Sequence, residues 1–339
     1  MLSQSIYRTG KRLCHAIALF AIGTTLLFQS ATVQAIVQEE EPIKALPAAL
    51  PLDQKRVALG ARLFREPRLS KGNDVSCASC HDFVNAGGAD PRPRSIGTGG
   101  VVGPVNSPTV LNIRLKFLLL WAGGAESLLD QVNKVIKNPK VFDTNWEAIV
   151  SKIGRDEAYR KLFVDAYGAP PDALNIADAL VTFEQSLDTD SRFDRYLRGD
   201  ASAITALEKQ GYERFKSYGC VACHQGAAVG GNMLQKFGVL GDYFADRGNL
   251  TAADAGRFNV TKQEADRGVF VVPSLRNVGL TAPYFHDGSA PTLEAAIDVM
   301  FKYQLGRPAP TEHKASIAAF LRSLSTDPAR LRAIDALGR

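Results

Sequence analysis

Two pentapeptides carry the most specific chemistry in this 339-residue chain: Cys77-Ala78-Ser79-Cys80-His81 and Cys220-Val221-Ala222-Cys223-His224. In a C-x-x-C-H run, two thiols form thioethers with the vinyl groups of a haem and the histidine binds its iron. The chain has five cysteines, and apart from Cys14 near the start the two motifs use them all. Disulfides within the motifs, or a zinc site of Cys and His ligands, would be the competing uses. A short C-x-x-C disulfide would leave both adjacent histidines unexplained. The pattern therefore predicts two covalently bound c-type haems, held by Cys77 and Cys80 and by Cys220 and Cys223, with His81 and His224 on the irons.

Each haem iron has a second axial position, so the remaining strong ligands decide what each haem does. Beyond the leader they are Met233, Met300, His286 and His313, all in the second half. Met300 falls on a helix predicted over residues 293–301 and is the expected sixth ligand of the second haem, whereas Met233 lies close behind His224. His/Met ligation raises the reduction potential, which suits a haem that accepts and relays electrons. The first haem has neither a methionine nor a second histidine between residues 36 and 200. Unless a lysine, a tyrosine, or His286 or His313 from the other half closes that site, its iron can take peroxide or another small oxidant, and the chain is expected to be an enzyme.

The elements that must position these groups repeat. Gly60 and Phe64 precede the first motif, and Gly211 and Phe215 precede the second, at the same four-residue step on helical apolar patterns. A glycine there permits the close helix crossing of a small cytochrome c fold. Each half also ends in a helix with one apolar face, Ile176, Leu180, Phe183 and Leu187 in the first and Ile317, Phe320, Leu321 and Leu324 in the second. A further helix is expected over residues 145–167, opened by a capping box from Thr144 to Glu147 and closed by Gly168. Residues 90–103 and 226–257 read as long irregular loops around the haem edges. The expected fold is all-α: two cytochrome c-like domains, each with one covalent haem, joined by long irregular loops. Residues 36–200 form the first domain and 201–339 the second, with a polar linker at 198–203.

Residues 1–35 read as a signal peptide: Arg8, Lys11 and Arg12, an apolar run over residues 16–28, then Val33-Gln34-Ala35. That run is too short to span a bilayer, so the chain is expected to be exported to the periplasm without membrane insertion after cleavage. The formal charge of +5 falls to +2 without the leader's three cations, which supports neither nucleic-acid binding nor a polybasic membrane patch. A composition 45% hydrophobic and 22% charged excludes wholesale disorder and a coiled-coil rod.

Several segments carry a resemblance: Leu59-Gly60 through Leu69-Ser70, the first haem motif, Gly87-Gly88, Ser95-Ile96-Gly97, Asn106-Ser107-Pro108-Thr109, Val272-Pro273-Ser274-Leu275-Arg276-Asn277-Val278, and Leu280 through Gly288. Together they resemble the bacterial dihaem cytochrome c peroxidases of the peroxidase and MauG superfamily, over roughly Pro51 to Leu324. The resemblance implies reduction of hydrogen peroxide to water with electrons from a small cytochrome c or cupredoxin, and a homodimer. It makes His224 and Met300 the ligands of the high-potential haem, where MauG relatives have a tyrosine. It places Trp121 between the haems as an electron bridge. It also implies calcium bound by Asn106 and the carbonyls of Thr281 and Pro283, an all-oxygen set suited to that hard cation.

The sequence departs from that pattern. A histidine that caps the first haem in many members is Thr98 here. The family's distal glutamine is matched by Gln131, but the glutamate ten residues on is Val141, which leaves Asp143, or Glu147 behind it, to supply a carboxylate if the loop is displaced by two residues, and otherwise Gln131 and water. The arginine and aspartate near the bridging indole are missing from Trp121-Ala122-Gly123-Gly124. The alternatives to a peroxidase are a MauG-like enzyme that oxidises a partner protein, and a non-enzymatic electron-transfer or sensor protein.

Overall fold

Asp53 opens the first helix by accepting the backbone N–H groups of Lys55 and Arg56 on its carboxylate, a cap that satisfies donors the helix itself cannot. The computed structural model describes residues 41–339, so the expected signal peptide lies outside the described residues. The helices are α1 (Gln54–Phe64), α2 (Phe83–Ala86), α3 (Leu128–Lys137), α4 (Trp146–Gly154), α5 (Glu157–Tyr167), α6 (Ala173–Gln185) and α7 (Arg192–Leu197). They continue with α8 (Ala206–Ser217), α9 (Tyr243–Arg247), α10 (Phe258–Thr261), α11 (Leu293–Gln304), α12 (Thr311–Ser323) and α13 (Pro328–Ala336). Two short strands, β1 (Leu234–Lys236) and β2 (Val269–Val271), pair antiparallel with Gln235 opposite Phe270.

Two helix crossings organise the structure, and both occur at the expected glycines. α1 crosses α6 so closely at Gly60 that a Cβ there would lie 1.9 Å from the carbonyl oxygen of Ala179. α8 crosses α12 at Gly211 with the same clearance, 1.9 Å from the carbonyl oxygen of Ser316. Each crossing seats its own core. Phe64, Phe83 and Phe183 meet in the first, and Tyr212, Phe215 and Phe320 in the second. Among the described residues no helix is long and apolar enough to cross a membrane.

Three details differ from the sequence expectations. Residues 145–167 form two helices, because Asp156 interrupts the run and caps α5 with its carboxylate on the N–H groups of Ala158 and Tyr159; the cap of α4 is Asn145, one residue past Thr144. The segment 226–257 is not wholly irregular, since it contributes β1 and α9, and Phe237, Tyr243, Phe270 and Tyr303 form a small aromatic core there. The handover between the two main cores falls between Leu187 and Phe193, ahead of the linker, because α7 packs into the second core. Asp194 on α7 forms a buried bidentate pair with Arg276, at 2.7 and 2.8 Å, and also accepts the Leu46 N–H.

Candidate active site

The two haem motifs fold into the same tight turn. His81 N–H donates to the Cys77 carbonyl at 3.0 Å and His224 N–H to the Cys220 carbonyl at 2.9 Å. In each, the turn brings two unbridged thiols and one imidazole to the same cavity. Burial pushes both histidines down to about 4, against the opposing pull of nearby backbone carbonyls, so both are neutral at physiological pH. His81 Nδ1 sits 3.0 Å from the Gly88 carbonyl, which fixes the proton on Nδ1 and leaves the Nε2 lone pair for a metal. Each neutral imidazole beside two free thiols in an apolar cavity is a donor set that fits a c-type haem, with the second nitrogen tied in His81 and without a hydrogen-bond partner in His224.

The cavities differ in what else lines them. The second, of about 450 Å³, is lined by Cys220, Cys223, His224 and Met300, the last on α11; Met233 is not in its wall. His286 lines this second cavity and not the first, its Nε2 2.7 Å from Asp254. His313 lies 2.5 Å from the Tyr218 hydroxyl. The first cavity, of about 220 Å³, contains Cys77, Cys80 and His81; among the described residues no methionine, tyrosine or second histidine lines it, whereas Lys116 and Lys140 do. Thr98 is turned away from it, donating its hydroxyl to Asp74 at 2.7 Å.

Gln131 on α3 and Val141 both line the first cavity, and the buried Gln131 Oε1 has no hydrogen-bond partner in the protein. The expectation that Asp143 supplies the carboxylate needs correcting. The Asn138 carbonyl accepts both Val141 N–H and Asp143 N–H, each at 3.0 Å. That turn sends Val141 inward, and Asp143 is absent from the wall, its carboxylate ion-paired with Lys71 at 2.7 Å. Glu147 is exposed on the first turn of α4.

The carboxyl that does line this cavity is Glu184 on α6, the only Asp or Glu side chain in its wall among the described residues. It is 5% exposed, its Oε2 has no partner, and burial pushes it up to about 8. The sequence held a signal for it. Glu184 falls four residues after Leu180 and three before Leu187, on the apolar stripe of that helix, where a charge is out of place.

Trp121 and Asn106 stand in the wall of both cavities. The indole Nε1–H donates to the Asn106 carbonyl at 2.8 Å, and Asn106 N–H donates to the His286 carbonyl at 2.8 Å. The Trp121 and His286 rings meet edge to face with centroids 6.4 Å apart. The Asn106 side-chain amide donates to the carbonyls of Asp90 and Arg92, at 3.0 and 2.8 Å. Thr281 and Pro283 share the second cavity's wall with Asn106. Nearby, the carboxylates of Asp254 and Asp287 converge on His286, and Arg247 pairs with both, offsetting one of their two negative charges.

Comparison with known proteins agrees with this geometry. Residues 54–202 match the di-haem cytochrome c peroxidase family. The cytochrome c551 peroxidase of Nitrosomonas europaea is 40% identical over 92% of this chain and 91% of its own length. The cytochrome c peroxidase Ccp of Escherichia coli K12 is 45% identical over 84% of this chain; the chain spans 61% of that relative's length. The crystal structure of a MauG-like protein associated with microbial copper homeostasis superposes with a TM-score of 0.73 at 28% identity, over 84% of this chain and 93% of that one. The chain belongs to the di-haem cytochrome c peroxidase family, and the family assigns it two haems.

Proposed function

We propose that this chain is a peroxidase that reduces hydrogen peroxide to water at the first cavity, with electrons delivered to the second by a small cytochrome c or cupredoxin. The observation that carries this reading is the asymmetry of the two cavities: His224 and Met300 both line the second, whereas the first has His81 and, among the described residues, no methionine or second histidine. When bound, the first haem supplies the centre for two-electron reduction of peroxide and the second supplies storage and relay of electrons. Cys77 and Cys80, and Cys220 and Cys223, tether them as thioethers.

The remaining residues bind, orient and supply protons. The Gln131 amide, with its unpartnered oxygen in the wall, orients peroxide by hydrogen bonding. Two protons must accompany two electrons when peroxide becomes two waters, and the Glu184 carboxyl, held protonated by burial, is the carboxyl in that wall that can supply one. Trp121 lies between the cavities as the bridge, its ring fixed by the Asn106 carbonyl. Asn106, whose amide nitrogen is committed to two carbonyls, presents its side-chain oxygen together with the Thr281 and Pro283 carbonyls for calcium. Met300 in the second cavity favours the peroxidase over a MauG-like oxidation of a partner protein. The protein acts in the periplasm after leader cleavage, as a homodimer.

The test is stopped-flow mixing of peroxide with the mixed-valence protein in the presence of reduced cytochrome c. Two cytochromes oxidised per peroxide are expected. Val141→Glu, which adds a carboxylate beside Gln131, should be faster by a factor approaching about 10². A protein that binds peroxide but oxidises no cytochrome would overturn the proposal.

A further inference from the structure

Lys116 stands in the wall common to both cavities. The turn that precedes it holds its backbone, with Lys116 N–H donating to the Ile113 carbonyl at 3.1 Å. The next residue ties this segment to the second half, Phe117 N–H donating to the Gly231 carbonyl at 2.9 Å. Gly231 also gives the lysine stem its room, since a Cβ there would come within 3.0 Å of Lys116 Cγ. The stem is therefore packed, and the half-buried side chain brings its ammonium to the Thr109 carbonyl in the shared wall.

An ammonium in such a place needs an anion. The partner of Lys116 in the structure is the Thr109 carbonyl, a neutral oxygen 3.4 Å away, and among the described residues no carboxylate pairs with it. Its depth in the protein pulls it down to about 8 with nothing opposing. Its chain neighbours Ile113, Leu118, Leu119 and Leu120 line the first cavity and not the second. The segment that carries the cation is thus part of the first haem site, although the lysine itself lines both.

A haem carries two carboxylates of its own, the propionates, and they are the only fixed anions that filling these cavities would add. We infer that Lys116 is the counter-ion of a propionate of the first haem, holding that edge against the wall shared with the second haem and setting the first haem's reduction potential. The inference rests on the reading that both cavities take haem. Its sign follows from electrostatics: reduction adds negative charge at the iron, so a nearby fixed cation favours the reduced form and raises the potential. Lys116 is a positioning residue; it is not assigned contact with peroxide.

The experiment is a spectroelectrochemical titration of the full-length, haem-loaded protein as wild type, Lys116→Met, Lys116→Gln and Lys116→Arg. Haem content is checked in each, and electron paramagnetic resonance spectra are taken of the resting state. Lys116→Met should lower the midpoint potential of the first haem and, by a smaller shift, that of the second, while Lys116→Arg restores both. Lys116→Gln, which keeps a donor toward Thr109, should show the same downward shift and serves if the methionine variant does not load haem. An unchanged first-haem potential in a fully loaded neutral variant overturns the inference. So does a nitrogen-ligated low-spin signal of the first haem that Lys116→Met abolishes, which would make the lysine an axial ligand. Absence of peroxide turnover in the wild type would sink the functional reading while leaving the potential shift intact; normal turnover with unshifted potentials would sink the role of Lys116 alone.

Discussion

Replacing Glu184 by glutamine keeps its shape and removes its titration, so the variant isolates what a lone carboxyl does in the first cavity. Burial pushes Glu184 from its ordinary 4.5 up to about 8, with no cation opposing. A raised carboxyl holds its proton in the folded state at pH values where the unfolded chain has released it. Its contribution to stability is therefore fully present below about 4.5 and is lost as pH rises through about 8. The slope in that window is at most about 1.4 kcal/mol per pH unit, and the accumulated loss reaches a ceiling of about 5 kcal/mol. Filling the cavity with a largely apolar ring displaces water and acts in the same direction. Urea unfolding of haem-loaded wild type and Glu184→Gln should show the variant gaining on the wild type steadily between about pH 5 and about pH 8. A difference between the two proteins that stays flat across that range would refute the argument that this carboxyl is buried, unpaired and protonated.

Other perturbations test the frame and the ligands. Gly60→Ala or Gly211→Ala would put a methyl group 1.9 Å from a backbone carbonyl oxygen and should lower stability by about 3 kcal/mol, read as a drop in Tm. Gly154→Ala, where nothing lies within 4 Å, is the control and should be neutral or slightly stabilising. Arg276→Met strands Asp194, whose carboxyl the guanidinium holds below its usual range against the effect of burial. It should cost about 3 to 5 kcal/mol near neutral pH, and the deficit should shrink as acid protonates the aspartate. Met300→Ala should abolish the near-infrared methionine–iron band of the oxidised protein, whereas Met233→Ala, outside the second cavity, should leave it in place.

Much of the frame was readable from the chain because it depends on short-range chemistry. The haem motifs fix their own turn through the hydrogen bond from each histidine to the first cysteine. Gly60 and Gly211 stand out because no other residue fits against a carbonyl at that distance. Met300 could be chosen over Met233 because a helix can carry it back across a cavity, while a residue nine positions after the histidine stays on the same side. What escaped the sequence depended on competition between local and distant partners. Asp156 breaks a run of good helix periodicity because its carboxylate binds two N–H groups at once. Asp143 looked available for catalysis by its spacing, but Lys71, distant in sequence, holds it elsewhere. Glu184 and Lys116 became visible only when the structure placed each in a cavity wall without an ion-pair partner.

The ends of the described chain are crossed. Leu331 and Ile334 of α13 complete the first core, and Arg65 at the close of α1 pairs with Asp335 at 2.5 Å. At the other end Ile43 enters the second core and bridges to Gly226. Synthesis runs from the amino terminus, so the first core is complete only once α13 has emerged. Folding of the two halves is thereby made concurrent instead of sequential. Scission at the linker should yield fragments that are each incomplete alone but recover native structure when mixed.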